Sequence, residues 1–133
     1  CFDLYAVEDT VIHPTMSDGV TPDNRTLTDI GHGIVPVGIK VGFISEGYGF
    51  VLRPKSGLGF KAGLQPHLGE IDNGYRGDCG VKMYNFTSDP YQFKKGDKVA
   101  QIKIEKIYDT VIEWTDEVEE AQRGDAGFGS SGK

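Results

Sequence analysis

Apolar residues recur at every second position through Val35, Val37, Ile39, Val41 and Phe43, with Pro36, Gly38, Lys40 and Gly42 between them. A period of two is that of a strand with one buried face, so the pattern predicts a strand over 35–43. Ala100, Ile102 and Ile104 alternate in the same way with Gln101, Lys103 and Glu105. The phase slips near Lys106 into Ile107, Val111 and Ile112, which predicts a bulge or a second strand there. Shorter strand-like runs lie at Leu4–Ala6, Thr10–Ile12, Tyr48–Leu52 and Gly80–Phe86. Turn formers stand between them: Ser17-Asp18-Gly19, Thr21-Pro22-Asp23-Asn24 and Asp72-Asn73-Gly74. One short helical turn is predicted to begin near Ser56 with that residue as its N-cap. From Thr115 to Gln122 the acids read as a solvated loop or a turn of helix. Many short strands at this spacing predict an all-β domain, a sandwich or a barrel.

Composition supports that class. Of 133 residues, 19 are Gly, and outside residues 97–123 no Gly-free run exceeds 18 residues. Since each Gly inside a helix costs about 1 kcal/mol relative to Ala, a helical bundle is excluded. The Gly residues follow no three-residue period and 38% of the chain is hydrophobic, which excludes collagen and wholesale disorder. One domain with a real core remains.

The net charge of -6 is unevenly placed. Eight acids and two bases fall between Glu105 and Asp125, and the rest of the chain is balanced at twelve against twelve. With no basic stripe, nucleic acid is not an expected partner. No apolar run reaches the ~18 residues of a membrane span, so no membrane partner is expected either. Cys1 and Cys79 form no CxxC pair, which predicts reduced thiols, and His13, His32 and His67 show no zinc-site spacing.

Four stretches carry candidate chemistry. Arg53-Pro-Lys-Ser-Gly-Leu58 sets Lys55 beside Ser56 and Gly57 at a predicted helix start, where an amide, a hydroxyl and a cation suit an anion. Leu68-Gly-Glu-Ile-Asp-Asn-Gly-Tyr-Arg-Gly-Asp78 reads as a hairpin carrying Asp72 and Tyr75 side by side, and such an Asp can take a proton from water. After Gln122 the chain turns to Arg123-Gly-Asp-Ala-Gly-Phe-Gly-Ser-Ser-Gly-Lys133. This tail contains formal matches to GxGxxG and GxxxxGK, but a phosphate loop of either kind needs a strand before it and a helix after it. The acidic segment Glu105–Gln122 is either a solvated edge or a protein-binding surface.

Together, and in this order, these stretches resemble the trimeric all-β dUTPase family, the deoxyuridine triphosphate nucleotidohydrolases. The first motif is Phe2-Asp-Leu-Tyr-Ala6, the second Arg53–Leu58, the third Gly69-Glu-Ile-Asp-Asn-Gly-Tyr-Arg-Gly77, the fourth Gly96-Asp-Lys-Val-Ala-Gln101 and the fifth Arg123–Gly132. Ile34–Lys40 and Glu46–Tyr48 resemble scaffold segments of the family. The resemblance implies a β jelly roll over 1–122 with a C-terminal lid arm over 123–133, and a homotrimer with sites at subunit boundaries. The implied reaction is Mg²⁺-dependent hydrolysis of dUTP to dUMP and pyrophosphate, in the cytoplasm, or in a host's cytoplasm if the chain is virus-encoded.

Carried over by position, Asp72 is the expected general base and Tyr75 the residue against the deoxyribose. Gly69, Glu70, Ile71 and Gly80 are expected to read uracil, mainly through the main chain. Lys55, Ser56, Gly57 and Gln101 are expected on the phosphates. In the arm, Arg123 is expected on the terminal phosphate and Phe128 on uracil, with Gly129, Ser130 and Ser131 beside them. Asp3 is expected to hold Mg²⁺ through waters. The chain departs from the family at Lys55 and Lys98, where Arg is usual, at Pro66, where some members have Asn, and at Cys1, where Gly is usual. The strand that normally precedes the first motif is also absent, so an N-terminal strand is expected to be missing. Two alternatives share the fold: a relative of dCTP deaminase, which lacks such an arm, and a regulatory protein-binding module. Members that act on repressors often carry an insert between the fourth and fifth motifs, and here only 21 residues separate Gln101 from Arg123.

Overall fold

The computed structural model describes residues 1–20 and 26–117. The strands among them are β1 (Phe2–Tyr5), β2 (Thr10–Ile12), β3 (Met16–Val20), β4 (Thr26–Asp29), β5 (Gly31–Lys40), β6 (Tyr48–Arg53), β7 (Leu64–Pro66), β8 (Glu70–Ile71), β9 (Asp78–Asn85), β10 (Tyr91–Phe93) and β11 (Lys98–Lys106). One helix, α1 (Ser56–Ala62), joins β6 to β7. The strands form antiparallel sheets in the orders β1-β11-β6-β8 and β5-β9-β7, with two-stranded pairs β10-β2 and β3-β4. The expected all-β class holds.

Alternation fills the core. Val35 and Val37 from β5, Val81 and Met83 from β9, Leu4 from β1 and Phe93 from β10 are buried in one cluster. The single fully buried polar side chain of the described core is Asn85. Its amide donates to the Asp89 carbonyl at 2.8 Å, and its oxygen accepts from the Thr87 N–H at 3.0 Å and the Thr87 hydroxyl at 2.8 Å. Each such group left unpaired would cost about 1–3 kcal/mol, so this asparagine ties the turn after β9 to the core at no net penalty.

Four details differ from expectation, each for a local reason. The strand over 35–43 stops at Lys40, because its partner β9 begins opposite that residue, and Phe43 is left 79% exposed. β11 likewise ends at Lys106, opposite the first residue of β6, and residues 107–117 form no further strand. The bulge lies at the other end of β11, where Leu4 pairs with Ala100 but Tyr5 with Lys98, and the extra residue sends both Val99 and Ala100 into the core. Ser17-Asp18-Gly19 sits within β3, where a register shift absorbs it. The turn predicted over 21–24 falls on residues 21–25, outside the described residues, as does the whole arm 123–133.

Helix α1 starts where predicted, but Lys55 is its N-cap, extended at φ -100° and ψ 126°, and Ser56 is its first helical residue. Gly63 ends it at φ 63°, a left-handed turn that suits Gly, with its N–H bonded to the Leu58 carbonyl.

Candidate functional site

The segment expected as a hairpin is a fork. At its closed end the β7–β9 pairing is prolonged by the His67 N–H donating to the Lys82 carbonyl at 2.8 Å. Beyond that bond the two chains part. Residues 69–71 cross to the other sheet, where the Gly69 carbonyl accepts from the Leu52 N–H at 3.0 Å and Glu70 and Ile71 pair with Val51 and Phe50. β9 stays with β5, with Gly80 opposite Pro36. A cavity of about 200 Å³ opens between the arms, walled by Leu52, Gly69, Ile71, Gly80 and Val81. A Cβ at Gly80 would lie 3.0 Å from Ile34 Cγ2 on β5, so Gly suits the close packing of this arm on its partner strand.

Asp72 and Tyr75 follow directly on β8, in a turn closed by the Tyr75 N–H donating to the Asp72 carbonyl at 3.3 Å. Asp72 Oδ1 accepts from the Gly74 N–H at 2.7 Å, a local bond that fixes the carboxylate. The Tyr75 hydroxyl donates to the Asp78 carbonyl at 2.8 Å. Asp72 also lines a second cleft, of about 300 Å³, with Glu70, Glu105 and Gly49. Gly49 lines it too, and a Cβ there would meet Ile107 Cδ1 at 2.9 Å and the Ile71 carbonyl at 3.1 Å. Glu105 is held in place by Arg53 and Lys103, each at 3.0 Å, and Lys103 first and then Arg53 keep its carboxyl below the usual range.

The first, second and fourth sequence stretches meet elsewhere. Asp3 pairs with Gln101 across β1 and β11, and Gln101 with Arg53 across β11 and β6, so the three share a row. Lys55 Nζ lies 2.6 Å from Asp3 Oδ1, and Lys98 Nζ lies 2.8 Å from Asp3 Oδ2. The bulge in β11 is what turns Lys98 toward Asp3, since an unbroken alternation would set residues 98 and 101 on opposite faces. Hydrogen bonds from Lys55, then from Lys98, hold the Asp3 carboxyl below its ordinary range, and Asp3 in turn raises Lys98.

A family model described as dUTPase matches residues 18–132. The chain belongs to the dUTPase family. The deoxyuridine 5'-triphosphate nucleotidohydrolase of Kluyveromyces lactis is 38% identical over 133 aligned positions, an alignment that covers 99% of this chain and 79% of that protein. Its Saccharomyces cerevisiae counterpart is 38% identical over 132 residues, covering 98% and 79%. Among solved structures, the Staphylococcus bacteriophage 80alpha dUTPase with dUPNHPP superposes with a TM-score of 0.76 at 24% identity, covering 98% of this chain and 85% of that one. This likeness fixes the fold as the dUTPase jelly roll.

Within one chain the structure gathers the expected residues into two groups. Gly69, Ile71 and Gly80 line the fork, and Glu70, Ile71 and Asp72 line the adjoining cleft. Asp3 and Lys55 meet in the second group, where Gln101 is their strand neighbour and Ser56 and Gly57 open α1 beside Lys55. Neither cleft has Asp3, Lys55, Ser56 or Gln101 in its lining. Arg123, Phe128, Gly129, Ser130 and Ser131 lie outside the described residues. Sequence reasoning did not place Lys98 with Asp3 or Gly49 in one cleft with Asp72. A Gly inside the run Tyr48–Leu52 was the available signal for Gly49, because it marks a close approach.

The dUTPase of phage phi11, in a point-mutant form whose fold matches with a TM-score of 0.67 at 23% identity, covering 89% of this chain and 84% of that one, coordinates a structural Mg(II) ion. In this chain Asp3 is the residue expected toward Mg²⁺, and both of its oxygens are engaged by ammonium groups. Two cations beside it disfavour a third. Among the described residues no three His, Cys, Asp or Glu side chains are placed to share a metal ion. As arranged here, Asp3 does not fit as a direct metal ligand, and the role expected of it is through waters.

Proposed function

We propose that this chain hydrolyses dUTP to dUMP and pyrophosphate. Family membership supports the substrate, and the position of Asp72 in the cleft that adjoins the Gly-walled fork, with Ile71 in the lining of both, supports the chemistry. A base entering between the arms meets main-chain donors and acceptors whose pattern is set by the backbone. Uracil pairs with such a pattern, whereas cytosine would leave buried polar groups unpaired. In this reading Tyr75, held by its bond to the Asp78 carbonyl, packs against the deoxyribose and leaves no room for a ribose 2′-OH.

With Oδ1 committed to Gly74, Asp72 Oδ2 takes the proton from a water that attacks the α-phosphorus in line. The new bond joins water oxygen to the α-phosphorus, and the bond from that phosphorus to the bridging oxygen breaks, releasing pyrophosphate. Lys55, Ser56, Gly57 and Gln101 hold the phosphates. Mg²⁺ enters bound to the triphosphate as part of the substrate. The arm residues Arg123, Phe128, Gly129, Ser130 and Ser131 contribute from outside the described part of the chain.

The separation of the Asp72 clefts from the lysine-rich group supports a homotrimer in which each site is completed by a neighbouring copy. Exposed apolar side chains such as Ile34, Phe86, Val111 and Trp114, the last 98% exposed, are surface for such contacts. Pyrophosphate release with dUTP, dCTP, dTTP and UTP in Mg²⁺ tests this reading. Turnover of dUTP alone is expected, and comparable turnover of dCTP or UTP would overturn it.

A further inference from the structure

We propose that Asp3 is a positioning residue whose carboxylate holds the Lys55 and Lys98 ammonium groups together as a two-lysine clamp for the polyphosphate chain. The inference deepens the functional reading above and rests on its assignment of Lys55 to the phosphates.

The geometry carries it. Lys55 stands just before α1 and Lys98 opens β11, 43 positions apart in the chain, yet one carboxylate binds both, one ammonium per oxygen. Asp3 and Lys55 are 24% and 21% exposed, so this pair is partly shielded, while Lys98 is 52% exposed and reaches toward solvent. The three groups sum to one positive charge, which leaves the cluster attractive to an anion. The Lys98 ammonium also lies 5.9 Å from the Tyr5 ring centroid, which limits its wandering.

A lysine is a point charge on a long flexible stem, unlike the planar fork of arginine that binds two phosphate oxygens at once. Two lysines can supply two donors only if something fixes their separation. Asp3 does so through charge-assisted bonds to both. It thereby gives a pair of lysines the preorganisation that a guanidinium has by its chemistry.

The test turns on a sign. Removing a carboxylate from an anion site normally strengthens anion binding, whereas removing the residue that organises the clamp weakens it. Binding of inorganic tripolyphosphate to the full chain in EDTA, measured by calorimetry, should weaken about five- to tenfold in Asp3→Asn, the scale of one charge-assisted contact. In a Lys55→Met/Lys98→Met background, Asp3→Asn should no longer weaken it. Equal or tighter binding by Asp3→Asn, or the same weakening without the lysines, would overturn the clamp. NMR of lysine side chains in the unaltered chain gives a second measurement that needs no variant. The Lys55 and Lys98 signals should shift together with tripolyphosphate, and a shift of one alone would overturn it. Turnover of dUTP by the unaltered chain, run alongside, tests the functional reading separately.

Discussion

The ring of Tyr75 lies against Gly77: a Cβ added at Gly77 would fall 2.6 Å from the Tyr75 hydroxyl oxygen and 2.8 Å from its Cζ. Position 77 therefore controls where the ring can rest. Gly77→Ala is expected to push Tyr75 off the Asp78 carbonyl while leaving the core untouched. Thermal stability should change by less than about 1 kcal/mol, as for a surface loop. The ratio of kcat/KM for dUTP over UTP should fall about tenfold or more, since sugar selection depends on an ordered ring. An unchanged ratio would remove Tyr75 from its proposed place beside the sugar.

Asp72→Asn keeps the shape and the Gly74 bond but removes the proton acceptor. It should retain dUTP binding within a few-fold and lose turnover by about a hundredfold or more, the usual contribution of a positioned base. Equilibrium binding of a non-hydrolysable dUTP analogue, compared with single-turnover rates, separates the two effects. A variant that still turns over would show that another group takes the proton.

Stability should depend on pH with a broad plateau. Asp3 and Asp9, ordinarily near 3.8, and Glu105, near 4.5, are all held lower by lysine or arginine partners. Their stabilisation is complete above those ordinary values and disappears as pH falls through the lower folded ones. Cys79, pushed above its ordinary 9.0 by burial and then by Asp78, acts at the other end. It costs stability once the unfolded thiol begins to ionise above that value. Lys98, raised above 10.5 by Asp3, stabilises below that value and ceases to as pH rises through its folded one. Melting temperature should thus be flat from about pH 5 to 9 and fall on both sides. Asp3→Asn should flatten part of the acid limb, and parallel curves for the two proteins would contradict the ion-pair assignment.

A chain ending at Gln122 should fold and assemble as the full chain does, yet lose most dUTP turnover. Circular dichroism and sedimentation would register the fold and the assembly, and pyrophosphate release the activity. An undiminished rate would show that residues 123–133 take no part in catalysis.

Period-two patterns made much of the fold legible. Thr10–Ile12 is a strand to the residue, and Val35, Val37 and Val41 are buried as their alternation required. Phe43 broke the pattern because alternation reports which face is apolar, not where the partner strand stops. β7, β8 and β10, of two or three residues each, are set by their partner strands rather than by a pattern of their own. At the candidate site, the sequence set Asp72 beside Tyr75 and Lys55 beside the start of α1, and the structure keeps both local neighbourhoods. The bond of Lys98 to Asp3 depends on a bulge, and the fork depends on Gly69 leaving one sheet for the other. Such switches of partner are long-range choices that leave little mark on the residues making them.

The fork also bears on how the two main sheets share load. They are sewn together at this end by one short crossover, from the His67–Lys82 bond to the Gly69–Leu52 bond. A planar base lodged between the arms would touch both sheets at once and act as a removable rivet. Substrate would then be a structural member of the molecule during the reaction, and product release would take that member away.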